Sequence, residues 1–123
     1  MKVVSQASGS PAFGLGPPGA YAAGDRLLLA GRVCRRARNT RLSPSTVRIE
    51  RVDASGTVAG HVDAALPPIY RRADQACAPY SRIVSWRLAE GDSLRACFER
   101  GAACPATAET RAVVPVPAAA ATP

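Results

Sequence analysis

Through the middle of the chain apolar and polar residues alternate in short runs, and the period is two rather than 3.6, which predicts strands. The run from Arg26 to Arg36 puts Leu27, Leu29 and Val33 on one face and Leu28, Arg32, Cys34 and Arg36 on the other, as one long strand or two with a bend at Gly31. Thr46 to Val52 and Thr57 to Leu66 alternate on either side of Asp53-Ala54-Ser55-Gly56, whose turn chemistry predicts a β-hairpin. Ser81 to Leu88 aligns Val84, Trp86 and Leu88, and after a turn at Ala89 to Asp92 the next strand aligns Leu94, Ala96 and Phe98, with Arg95, Cys97 and Glu99 facing away. Thr110 to Val116 supplies a last strand, which Pro115 assigns to a sheet edge. Six or seven short strands with no helical period longer than a turn predict an all-β fold, a two-sheet antiparallel sandwich over residues 25–114.

The rest of the chain lacks such a pattern. Residues 1–24 are dense in Gly and Pro and read as a disordered leader or linker. Residues 115–123 read as a Pro/Ala-rich flexible tail. Pro67 to Ser81, with three prolines, reads as a long crossing loop with a short helical turn at Arg72 to Ala76.

One segment carries a family likeness. Trp86 and Leu88 close a strand, Gly91 and Asp92 sit in the turn, and Leu94, Ala96 and Phe98 follow; this resembles the E–F corner of fibronectin type III and immunoglobulin-like domains. Leu94 stands where that pattern has an aromatic residue. The resemblance implies the broad sandwich class and carries over no binding residue.

Four cysteines change the picture more than any other residue type. An even count in a 123-residue chain is what an oxidising compartment produces, since a small domain gains stability from covalent staples. Four cysteines allow three pairings. By alternation Cys34 and Cys97 both face away from the core, against the buried inter-sheet bridge of immunoglobulin domains. Pairing Cys34 with Cys77 would pin the long loop onto the first strand, whose neighbour in such a sandwich is the strand that loop leads into. Cys97 with Cys104 would then close the turn around Gly101. The separations of 43, 20 and 7 residues do not suit a zinc site, whose ligands usually come in close pairs, so no metal or other cofactor is expected.

The net charge is +7, and the excess is almost all arginine, with a single lysine at Lys2. Such a charge suits an anionic partner, although a GC-rich genome gives the same arginine-rich, Ala/Gly/Pro-rich profile through its codons. Arginines close to tyrosines can clamp phosphate or carboxylate and stack on rings or sugars. The candidate binding residues are accordingly Arg32 and Arg36 on the first strand, Tyr70, Arg71 and Arg72 in the long loop, and Tyr80 and Arg82 beyond it. The one histidine, His61, has Asp63 two residues on but no nucleophile motif, and no catalytic signature is present, so no enzymatic activity is expected. No apolar run is long enough for a membrane-spanning helix. Of a signal peptide only the ends are visible, Lys2 and the small residues at Ala20 to Gly24.

The expectation is a periplasmic or extracellular binding module for an anionic envelope polymer or a protein, with the export signal outside this chain. The alternative is a cytosolic basic protein with reduced cysteines that binds nucleic acid. The absence of an RNA-binding signature or of a helix to enter a groove weighs against it.

Overall fold

A computed structural model describes residues 1–36, 44–67, 69, 76–98 and 102–118. Nine strands account for most of them: β1 (Lys2–Ser8), β2 (Phe13–Leu15), β3 (Gly19–Ala23), β4 (Arg26–Arg35), β5 (Thr46–Val52), β6 (Val58–Ala65), β7 (Cys77–Val84), β8 (Ser93–Cys97) and β9 (Thr110–Pro115). The first sheet has the order β6-β5-β8-β1-β9. In the second, β4 is central, with β2 and β3 in succession along one side and β7 along the other.

The hairpin of β5 and β6 forms where alternation and turn residues agree. The Asp53 carboxylate accepts hydrogen bonds from the Ser55 and Thr57 amides and the Ser55 hydroxyl, and Gly56 takes the positive φ of 87° that closes the turn. Those bonds hold the Asp53 carboxyl below its ordinary range, the Ser55 hydroxyl contributing most and the Thr57 amide next.

Inward-facing residues of both sheets meet in one core. Val3, Ala7, Val47, Ile49, Ala64, Leu94 and Ala96 come from the first sheet, and Phe13, Leu15, Leu27, Leu29, Val33, Ala78 and Val84 from the second. Two sheets packed over a shared apolar layer is the arrangement expected of a sandwich. Arg35 reinforces the second sheet, its guanidinium lying 5.1 Å from the Phe13 ring centroid.

Four expectations are corrected. Residues 2–23 are not a leader: they form β1, β2 and β3, and raise the strand count to nine. Ser5 is fully buried there because its hydroxyl donates to the Pro18 carbonyl at 2.6 Å, which removes the cost of a polar group at an inward position. The first sheet is not purely antiparallel, because β1 runs parallel to β8 and antiparallel to β9. The C-terminal segment is built in as far as Val116, which is buried and whose amide donates to the Met1 carbonyl. The crossing segment yields a strand from Cys77 onward; the helical turn expected at Arg72 to Ala76 falls largely outside the described residues. Pro79 is tolerated in β7 because that strand lies at the edge of its sheet, and β9, which ends at Pro115, is likewise an edge strand.

Candidate functional site

β6 and β7 are the edge strands of their respective sheets, and they run close to one another along one open side of the molecule. Arg82 spans the gap, donating from Nη1 to the Asp63 carbonyl on β6 at 2.9 Å. Just beyond the end of β7, Trp86 packs half-buried against Gly60 of β6, its indole in ordinary van der Waals contact with that position. The result is a groove of about 290 Å³ with Val62, Ile83 and Val84 as its apolar wall and Arg26, Arg82, Ser85 and Trp86 as its polar lining.

The chemistry of this groove is one-sided. Its polar side chains are all hydrogen-bond donors, with Ser85 able also to accept, and among the described residues no acidic side chain lines it. Arg26 makes no ion pair with the described residues, and Arg82 spends one donor on a backbone carbonyl. Arginine keeps its charge throughout the physiological range, so an anion entering the groove meets two cations without displacing a resident carboxylate.

The outer face of the second sheet continues from the groove. Register places Tyr21, Leu28 and Ile83 in one row across β3, β4 and β7, with Tyr21 54% and Ile83 52% exposed. The next row, Gly19, Ala30 and Ser81, is made of small residues. Arg26 stands at one end of this surface, and Arg32, opposite Pro79, at the other.

Among the described residues, the arginines and tyrosines named from the sequence are not gathered into one patch. Arg32 is exposed on the outer face of the second sheet, whereas Arg82 lies opposite Leu29, three residues or about 10 Å further along the ladder and on the alternate parity. Arg36 is taken up by an ion pair with Glu109. Tyr70, Arg71 and Arg72 lie outside the described residues. Tyr80 is a correction: it is 1% exposed, packs over Gly31, and donates its hydroxyl to the Gly16 carbonyl at 2.6 Å. Burial pushes its phenol well above the ordinary range, so it serves the core as a neutral hydrogen-bond donor. The groove residues Arg26 and Trp86 were missed. The signal that could have found Arg26 is its place at the mouth of an apolar run, and for Trp86 it is being the chain's one tryptophan at a strand end.

A second polar cluster lies on the outer face of the first sheet. Glu50 is fully buried, and its Oε2 accepts from Arg48 Nε at 2.8 Å and from the Cys104 amide at 3.0 Å, while Arg95 Nη1 stands 3.8 Å from Oε1. The segment carrying Cys104 is held over the carboxylate by the Cys97–Cys104 bridge. The Glu50 carboxylate is thus held by its own arginines and the Cys104 amide, although its Oε1 accepts no hydrogen bond among the described residues, and this fits a structural part better than a ligand site. His61, opposite Glu50 in register, is exposed.

Cys34 and Cys77 face one another across β4 and β7, bonded, with Cα atoms 4.0 Å apart. This bridge joins neighbouring strands rather than fastening a loop, which corrects the sequence picture of a pinned loop. Among the described residues no group of three or more His, Cys, Asp or Glu could hold a metal ion, and no helix is long and apolar enough to cross a membrane. No protein-family model, curated protein or solved structure matches the chain.

Proposed function

We propose that the protein is a non-catalytic binding module of an oxidising compartment, periplasmic or extracellular, with an immunoglobulin- or fibronectin III-like sandwich fold, and that it binds an anionic polymer. The observation that carries this reading is the groove between β6 and β7, where Arg26 and Arg82 flank Trp86 with no acidic side chain among the described lining residues. The two bridges support the compartment, since structural disulfides persist where thiols are not kept reduced. They also count against the cytosolic nucleic-acid reading, which requires four reduced cysteines.

Two measurements test the proposal. Thiol titration of protein purified in air, unfolded with and without reductant, should find no free thiol before reduction and four after it. Four free thiols at the outset would overturn the compartment. Retention on immobilised acidic polysaccharide at moderate ionic strength should exceed retention on a neutral polysaccharide and fall with added salt. Equal retention on the two matrices would overturn the anionic ligand.

A further inference from the structure

We infer that the groove between β6 and β7 is a subsite for one carboxylate-bearing sugar unit of an acidic polysaccharide, with neighbouring units lying along the Tyr21–Leu28–Ile83 row. The inference rests on the proposed reading that the ligand is an anionic polymer, and it names the polymer's class and the place where it binds.

Size sets the first limit. A volume of 290 Å³ corresponds to roughly ten waters and sits at the small end of ligand sites, which suits a single sugar ring and not a folded chain or a duplex. Charge sets the second. Two guanidinium groups can each present a planar fork to a carboxylate, and the indole N–H and the Ser85 hydroxyl remain for ring hydroxyls. Shape sets the third. Ile83 belongs both to the groove wall and to the exposed row, so a polymer leaving the groove passes directly onto Leu28 and Tyr21, where small neighbours keep the surface flat. Sugar rings have one C–H-rich face and a polar rim, which matches an apolar row bordered by donors. A single-stranded nucleic acid would instead use several aromatic platforms and a track of cations along its backbone. The row and groove together supply two aromatic residues, Tyr21 and Trp86, and three arginines, Arg26 and Arg82 at the groove and Arg32 at the far end, which is short of such a track.

Trp86 is the chain's single tryptophan, so its fluorescence reports the groove directly. Hexagalacturonate, maltohexaose and hexathymidylate serve as acidic-sugar, neutral-sugar and nucleic-acid probes. Hexagalacturonate should change Trp86 emission saturably, and maltohexaose should bind at least about tenfold more weakly, since each charge-assisted hydrogen bond lost is worth about tenfold or more. Arg26→Ala, whose side chain has no ion pair with a described residue to lose, should weaken hexagalacturonate about tenfold, and Arg26→Ala with Arg82→Lys should weaken it further. Lys2→Ala with Arg111→Ala removes two exposed charges from the outer face of the first sheet and should cost less than about threefold, the screened effect of net charge alone.

Hexagalacturonate binding seen by calorimetry but without a Trp86 response, or equal losses in the two sets of variants, would place the ligand elsewhere and leave the anionic-polymer reading standing. Tighter binding of hexathymidylate would overturn the sugar class. No binding of any anionic probe by the unaltered protein would remove both the subsite and the reading beneath it.

Discussion

Tyr80 and Gly31 show how tightly single positions are specified. A Cβ on Gly31 would lie 2.3 Å from the Tyr80 hydroxyl oxygen, so the glycine is there because the phenol occupies its space. Tyr80→Phe keeps the packing but leaves the Gly16 carbonyl without this donor, and should cost about 1–2 kcal/mol in a urea unfolding experiment. The same residue sets an alkaline limit. Its folded-state ionisation lies above the ordinary value of 10.0 because the buried phenol resists charging, so the stabilisation is complete below pH 10 and is lost as the unfolded chain ionises above it. The slope of unfolding free energy against pH above 10 should therefore be shallower in Tyr80→Phe; an unchanged slope would show that Tyr80 does not contribute it. Extending the period of two back from Val84 puts Tyr80 and Ala78 on the inward face, so its burial was readable. Starting the strand at Ser81 hid it.

Among the elements, the β5–β6 hairpin is the clearest case of agreement between local chemistry and fold. Asp53→Ala removes three hydrogen bonds that close the turn and should lower the melting temperature. Because the Asp53 carboxyl is held below its ordinary value, its contribution is present above pH 3.8 and declines as pH falls through the folded-state value, so the difference between the two proteins should narrow in acid. A gap that stayed constant down to the acid limit would assign the effect to the backbone rather than to the carboxylate. This element was legible because strand alternation and turn residues fell in consecutive order. β1 was not, since its inward positions Val3, Ser5 and Ala7 are small or polar, and only the distant Pro18 carbonyl makes Ser5 acceptable in the core. β2 lay under a run of glycines that looks slack in sequence. Gly9 in fact marks a close crossing, where a Cβ would meet the Phe13 carbonyl oxygen at 2.5 Å. The groove was half legible. Arg82 could be named from its charge and its position at a strand, but the approach of β6 to β7 depends on pairings the chain reveals only when folded.

For the whole molecule, the two bridges restrain the unfolded chain unequally. They close separations of 43 and 7 residues, for which loop-closure entropy gives about 4 and about 2.5 kcal/mol. Replacing Cys34 and Cys77 together by Ser should thus destabilise the protein more than replacing Cys97 and Cys104, as read from guanidinium midpoints. The reverse order would show that the Cys104 amide on Glu50, which the second bridge holds in place, outweighs chain entropy. The fold itself is dominated by pairings between distant parts of the chain, the kind that form slowly.

The position of β1 makes synthesis order matter. Its partners β8 and β9 begin about 90 and 110 residues after it, so at 5–20 residues per second the first strand waits roughly 5–20 s before either partner has been polymerised. During that interval Val3 and Ala7 have no sheet to enter, and the apolar layer that depends on them cannot close. The completed sheet therefore waits until β8 and β9 have both been synthesised. The second sheet has no such delay, since β2, β3, β4 and β7 all precede β8 in the chain, so the two halves of the sandwich become available for pairing at different times.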